Sequence, residues 1–274
     1  MQIRVGYDLI FDCSQDTPMI LMLNIHSSRS GDVIVPDTMY TDPELPLHAY
    51  MDGFGNWCTR LTVPAGRIRI FADGLVKDSG LPDLVAPNAR QVPVDQLPDD
   101  VLGFLLGSRY CETDRLADFA WSHFGHIAGG WDRVQAVCDF VHGHLRFSYP
   151  DARSTRTASD AFVEGKGVCR DFAHLAITLC RCLNIPARYC TGYLGDIGVP
   201  PVPDPMDFSA WFEVFLEGQW FTFDARHNRP RIGRIMLARG RDASDVAISN
   251  SFGPACLRRF TVWTDEVPRE SPAA

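Results

Sequence analysis

Hydrophobic residues in the first 90 positions fall into short runs separated by turn-forming residues. Residues 19–25 are continuously apolar, as in a buried strand, whereas residues 67–72 alternate between apolar and polar side chains, as in a half-buried strand. The glycines of residues 52–56 indicate a turn, and Trp57–Val63 supplies another strand after it. The pattern predicts a β-sandwich or an open barrel over residues 1–90.

The pattern then changes through a proline-rich region into helices. Residues 91–110 are predicted to be a linker, because prolines that resist regular pairing recur in and just before them, at Pro82, Pro87, Pro93 and Pro98. Residues 131–145 have apolar side chains at the spacing of one helix face. Residues 172–183 are apolar almost all round, which predicts a helix at the centre of a domain.

Strand patterns follow the helices at residues 187–193, 210–216, 219–224 and 257–263. Glu217 and Gly218 are a plausible tight turn between the second and third of these. Helices followed by antiparallel strands give an α+β order, so residues 111–274 are predicted to form one α+β domain after the β-rich one.

Charge and cysteine content narrow the possible classes of protein. The 274 residues have a formal net charge of −8 and no block of Lys or Arg, so a nucleic-acid partner is not expected. No stretch has the length of a membrane span, and no export signal is evident at the start. Nine scattered cysteines then favour reduced thiols and a cytoplasmic location. A homo-oligomer is possible.

A glycine-rich turn at residues 165–169 delivers Cys169 to the first turn of the apolar helix. Unpaired backbone N–H groups and the positive end of the helix dipole stabilise an anion at such a position. A thiol there can therefore have a lowered pKa, and the same N–H groups can bind the oxyanion of a tetrahedral intermediate.

Three ordered motifs resemble the transglutaminase-like superfamily, which has a papain-like thiol fold. Residues 167–175 are similar to the cysteine-helix motif of its bacterial members, and residues 185–193 match the strand that follows. Residues 210–214 and 220–228 match the next two strands. The N-terminal part is similar to the β-domain that often precedes this module. The resemblance implies a papain-like core of helices on an antiparallel sheet.

The resemblance also implies a catalytic Cys, His and Asp, of which Cys169 and Asp224 match. The family histidine directly precedes Ala210-Trp211, where this chain has Ser209. Serine cannot accept a proton near pH 7 as imidazole does. Either His227, three residues after Asp224, supplies the missing base, or Cys169 acts from a thiolate made by the helix terminus alone.

Two functions remain open at this point. One is acyl transfer at an amide of a peptide or protein, by a cysteine peptidase, amidase or transglutaminase-like enzyme in which Cys169, Asp224 and His227 are catalytic. Ser209, Trp211 and Tyr193 are then expected to contact the substrate. The other is a catalytically impaired module that binds peptides or proteins in the same cleft.

Simpler roles are expected for several similar residues. Cys138, Cys180, Cys182 and Cys190 read as small core side chains, and no metal or other cofactor is expected because no four ligands converge in the pattern. Asp224 could merely pair with Arg226 at the end of its strand, and His227 could be an ordinary loop histidine.

Overall fold

The computed structural model of the protein describes residues 1–202 and 206–268. The β-strands are β1 Gln2–Cys13, β2 Thr17–Leu21, β3 Val33–Val35, β4 Tyr40–Asp42, β5 His48–Met51, β6 Trp57–Val63, β7 Gly66–Lys77, β8 Arg146–Phe147, β9 Lys166–Gly167, β10 Ala187–Leu194, β11 Ser209–Leu216, β12 Gln219–Phe223, β13 Arg234–Gly240, β14 Ser249–Ser251 and β15 Ala255–Val267. The α-helices are α1 Asp99–Leu102, α2 Thr113–Phe124, α3 Trp131–His144, α4 Ala158–Glu164 and α5 Cys169–Cys182.

The N-terminal strands form two facing sheets, in the orders β15-β1-β7-β3, with β4 also on β7, and β14-β2-β6-β5. In β1 every second side chain, from Ile3 to Phe11, is buried against the other sheet. This period of two is the one that a half-buried strand requires. The expected β-sandwich is therefore present.

The C-terminal strand belongs to this sandwich and not to the papain-like core. β15 pairs with β1 over its whole length, from Gln2 opposite Val267 to Cys13 opposite Ala255, and β14 pairs with β2. Residues 111–274 were predicted as one unit after the linker, but their last two strands return to the first domain. Alternation alone could not show which sheet β15 would join.

The second half of the fold places α5 across the antiparallel sheet β12-β11-β10-β13. Every α5 residue from Asp171 to Cys182 is buried, as its apolar composition indicated. The helix ends before Asn184, which has a positive φ of 60°, and Pro186 follows two residues later. The predicted α+β class is confirmed.

The proline-rich region is packed against the second half of the fold. Gln91 donates hydrogen bonds to the carbonyls of Leu183 and Asn184 just after α5, and Asp83 contacts the loop before β13. Asp83 thereby reaches the site described below. Within residues 1–202 and 206–268, no helix is long and apolar enough to cross a membrane.

Candidate active site

Local turn chemistry places Cys169 at the first position of α5. Gly165 ends α4 with a left-handed φ of 63°, and β9 then pairs with β8 and leads into Val168. The Asp171 carboxylate accepts a hydrogen bond from the Val168 amide at 2.8 Å, which satisfies one of the unpaired donors at a helix start. A side chain at Gly167 would lie 2.5 Å from Asp171 Cβ, so this turn requires glycine.

The carboxylate that caps the helix is buried with an arginine. Asp171 and Arg156 are paired at 3.1 Å with 0% and 3% of their side chains exposed, and Arg156 also pairs with Glu164. Both contacts of Asp171 use Oδ2, while Oδ1 has no hydrogen bond. Burial raises the pKa of Asp171, although the Val168 amide and the nearby arginines oppose the shift. This network fixes the helix start beneath Cys169.

The Cys169 thiol is half-buried, and its charge balance differs from the sequence expectation. Burial raises its pKa to about 11, with Asp207 and Asp224 adding to the shift and with Arg226 and the Ala210 amide opposing it. A thiol with a pKa of about 11 is ionised in about one molecule in ten thousand at pH 7. Burial of the thiol therefore opposes the thiolate that the helix start was expected to stabilise.

Asp224 and His227 form a closely bonded pair directly after β12. His227 Nδ1 lies 2.8 Å from Asp224 Oδ2, and Asp224 Oδ1 accepts hydrogen bonds from the backbone amides of Arg226 and His227. The fourth donor is Arg234, whose Nη2 lies 2.9 Å from Oδ2. Burial alone would raise the pKa of Asp224, but Arg234 and His227 hold it well below the usual range, so Asp224 is an anion at neutral pH.

Arg234 links this pair to the first half of the chain. Its side chain is 7% exposed and also binds Asp83, with Nε 2.9 Å from Asp83 Oδ2. Asp83 further accepts the Arg231 amide. A chain of contacts therefore runs from Asp83 through Arg234 and Asp224 to His227.

Helix α3 holds the turn that contains His227. His142 Nδ1 lies 2.9 Å from the carbonyl oxygen of Arg226, and Gln135 donates a hydrogen bond to Asn228. Asn228 in turn donates to Asp139. These contacts make the backbone around His227 part of the folded core instead of a free loop.

Ser209, His227 and Arg226 line one cleft of about 780 Å³. Ser209 begins β11 opposite Gly192, and its buried Oγ has no hydrogen bond. The following residue, Ala210, directs its amide at the Cys169 sulfur. The serine at the family-histidine position thus precedes the residue that contacts Cys169, and that position has no imidazole. Among the described residues, no hydrogen bond joins the Cys169 sulfur to His227.

The other two expected substrate contacts lie in different places. Tyr193 is fully buried against Tyr7 and Phe208 in the sandwich-side core. Trp211 is 2% exposed and lies under the Arg234 guanidinium, beside a separate cavity between the two halves of the fold. The structure therefore does not bring Tyr193 or Trp211 into the cleft that contains Ser209 and His227.

Sequence reasoning missed Asp83, Arg234 and the role of Arg226. Asp224 pairs with Arg234 ten residues onward, while the Arg226 guanidinium lies 3.8 Å from the ring centroid of Phe147. A buried acid at the end of a strand signals that a cation must be near. The pattern alone could not choose among Arg226, Arg229, Arg231 and Arg234.

Among the described residues, no group of three or more His, Cys, Asp or Glu side chains is placed to hold a metal ion. Cys138 and Cys180 lie in the hydrophobic core, and Cys190 is fully buried. Their burial agrees with the simpler role expected for them.

Comparison with known proteins extends the match beyond motifs. Residues 126–225 match the transglutaminase-like superfamily. The solved structure of a "putative cysteine protease" from Cytophaga hutchinsonii is 28% identical with a TM-score of 0.85, over 99% of this chain and 92% of that one. The likeness therefore includes the β-sandwich as well as the papain-like core.

Curated relatives match over a shorter region. An uncharacterized protein of Mycobacterium leprae is 34% identical over 91 residues, which are 32% of this chain and 32% of the relative. An uncharacterized protein of Mycobacterium tuberculosis is 32% identical over 112 residues, or 36% of this chain and 35% of the relative. The chain covers about a third of the length of these relatives. Residues 126–225 therefore form a transglutaminase-like domain, in a fold that also contains an N-terminal β-sandwich.

Proposed function

We propose that this protein is a thiol enzyme that transfers an acyl group from an amide, with Cys169 as nucleophile and His227 as the base in place of the family histidine. The observation that supports this most is the 2.8 Å contact between His227 and an ionised, buried Asp224 beside Cys169. Asp224 occupies the family's carboxylate position. The proposed imidazole therefore differs from the family pattern only in its position, which is 227 instead of 209.

The hydrogen bonds to Asp224 define which nitrogen of His227 reacts. An ionised carboxylate accepts only, so Nδ1 carries the proton that it shares with Asp224. Nε2 of the neutral ring is then the free acceptor. The His227 side chain is 20% exposed and lines the cleft, so its ring has access to a substrate there.

The proposed reaction begins from a neutral thiol. As the sulfur attacks the amide carbon, the thiol proton passes to His227 Nε2, and backbone N–H groups at the start of α5 stabilise the oxyanion. When the intermediate collapses, the C–N bond breaks and His227 returns the proton to the leaving amine. Water then attacks the thioester, with His227 taking its proton, and releases an acid and the free thiol.

Hydrolysis is favoured over transfer to a second amine because the cleft is open at His227. Water reaches a ring that is one-fifth exposed, and efficient amine transfer requires that water be kept away from the thioester. The acceptor is thus water, and the activity is that of a peptidase or amidase.

A binding module is the second candidate, and two observations favour it. The thiol pKa of about 11 keeps Cys169 neutral at rest, and no hydrogen bond from His227 reaches it within the described residues. Such a protein would hold an amide-bearing peptide in the cleft without cleaving it.

The test is trapping of an acyl-enzyme. Wild-type protein is incubated with a library of acylated peptide amides, quenched in acid and measured by intact-protein mass spectrometry. We expect an acyl adduct that hydroxylamine removes, that Cys169→Ala abolishes, and that the exposed-cysteine control Cys256→Ala retains. A fluorescent primary amine added in parallel distinguishes transfer from hydrolysis. Peptide binding by folded wild-type protein without adduct or amine release would instead establish the binding module.

A further inference from the structure

The charge of the cleft differs in sign from that of the whole protein. The chain has a net charge of −8, yet the described residues that line the cleft include three arginines and two aspartates. The arginines are Arg226, Arg229 and Arg231, and the aspartates are Asp196 and Asp207. An excess of one sign of charge in a cleft attracts ligands of the opposite sign.

Of these arginines, one already has a packing partner and another is exposed to solvent. Arg226 stacks on Phe147 and acts electrostatically on both Cys169 and Asp207. Arg229 is exposed at the edge of the cleft. Neither of them is a buried cation with an unsatisfied hydrogen-bond donor.

Arg231 is such a cation. Its side chain is 3% exposed, its Nη2 donates to the Gly195 carbonyl at 2.8 Å, and its nearest carboxylate oxygen, on Asp196, is 4.0 Å away. Its Nε is buried and has no hydrogen bond. Burial lowers the pKa of Arg231 and the like charge of Arg234 lowers it further, while Asp224 and Asp196 oppose the shift. A buried donor left unsatisfied is costly, and an incoming anion would satisfy it.

Each neighbouring carboxylate has a closer partner than Arg231. Asp83 and Asp224 both pair with Arg234, at 2.9 Å each. Asp196 accepts the Val202 amide at 2.8 Å with its other oxygen. The excess of positive charge therefore remains at Arg231, on the buried side of the cleft.

We propose that Arg231, supported by Arg229, forms a carboxylate-binding subsite, so that the enzyme acts on amides of acidic peptides. The carboxylate is a Glu or Asp side chain, or a chain terminus, close to the bond that Cys169 attacks. This inference rests on the proposed function, because it places the subsite in the same cleft as Ser209 and the proposed base His227.

The test uses three chloroacetyl reagents of nearly equal size that alkylate Cys169 by displacement of chloride. Chloroacetyl-glutamine amide is neutral, chloroacetyl-glutamate amide has a side-chain carboxylate, and chloroacetyl-glutamine acid has a terminal one. Rate constants for modification of Cys169 are measured by peptide mass spectrometry. We expect one charged reagent to react about tenfold faster than the neutral one, and that reagent identifies the source of the carboxylate.

Variants test whether the faster reaction of a charged reagent depends on the arginines of the subsite. Arg231→Gln and the exposed variant Arg229→Gln should each reduce the charged-to-neutral ratio, and the second keeps the test valid if the first does not fold. Arg115→Gln, on the exposed face of α2, is the matched control and should leave the ratio unchanged. Equal rates for all three reagents, or a ratio that survives both cleft variants, would overturn the subsite while leaving the nucleophile intact. Failure of every reagent to modify Cys169 would overturn the proposed function as well.

Discussion

Two buried aspartates lie at the candidate site, and their pKa values are shifted in opposite directions. Asp171 caps the helix that presents Cys169, and Asp224 orients His227. Both pair with a buried arginine, at 3.1 Å and 2.9 Å. Nevertheless the pKa of Asp171 is raised and that of Asp224 is lowered. A buried arginine partner therefore does not by itself determine the direction in which the pKa of an aspartate is shifted.

The number and placement of donors explains the difference. Asp224 accepts four hydrogen bonds, divided between both carboxylate oxygens. Asp171 accepts two, both at Oδ2, and its buried Oδ1 has none. Only full hydrogen bonding compensates a carboxylate for lost water. The comparison indicates that Asp224 is built to remain charged, whereas Asp171 is built to hold the turn.

The largest expected contrast is between Asp224→Asn and Asp171→Asn. At position 171 an amide can place its oxygen at the Oδ2 site and its NH₂ at the site that has no hydrogen bond. At position 224 the NH₂ must face two or more donors, because both oxygens are used. We expect losses in the free energy of unfolding of about 3 kcal/mol for Asp224→Asn and about 1 kcal/mol for Asp171→Asn. Urea unfolding measures both, and equal losses would contradict the comparison.

A smaller effect is expected from Gly167→Ala, which disturbs only the Asp171 side. The new methyl group would lie 2.5 Å from Asp171 Cβ and push the capping carboxylate away. We expect a loss of about 2 kcal/mol by urea unfolding, from overpacking and a weakened cap. Gly143→Ala, in α3 with open space around it, is the control and should be neutral or slightly stabilising. A Gly167→Ala protein as stable as this control would show that the cap does not depend on glycine.

The smallest expected effect is the pH dependence of the stability losses in Asp224→Asn and Asp171→Asn. Because the folded-state pKa of Asp224 is depressed, its stabilisation is present above the unfolded value of about 4 and is lost as the pH falls below it. Asp171 has a raised folded-state pKa, so its protonation stabilises the fold as the pH falls from that value towards about 4. As the pH falls towards about 4, wild-type protein should gain stability relative to Asp171→Asn. As the pH falls below about 4, wild-type protein should lose stability relative to Asp224→Asn. Parallel curves from urea unfolding at a series of pH values would refute the assigned directions.

The sequence could predict the parts of the site that depend on local signals. The glycine turn before Cys169, the apolar period of α5 and the strands on either side of Glu217-Gly218 are all encoded within a few residues, and the structure contains them. Asp224 followed from the family resemblance, which places an acidic residue at the end of this strand. These features need no knowledge of distant contacts.

The remaining features depend on long-range pairing that no local pattern encodes. Asp83 is 151 residues from Arg234, and β15 pairs with the first strand of the chain. Tyr193 and Trp211 were expected in the cleft because they are next to motif residues, but Tyr193 packs in the sandwich-side core and Trp211 lies under the Arg234 guanidinium. The raised pKa of Cys169 likewise follows from burial, which depends on the packing of the whole domain.

The central claim is that His227 is the base for Cys169, and the pH dependence of iodoacetamide labelling of Cys169 tests it most directly. Labelling is resolved by peptide mass spectrometry over all nine cysteines, in wild-type protein and in His227→Ala. The account predicts a rise near pH 11 in both proteins and, at neutral pH, an additional labelling phase that only the wild type shows. Superimposable profiles in two folded proteins would contradict it, because His227 would then have no influence on the thiol.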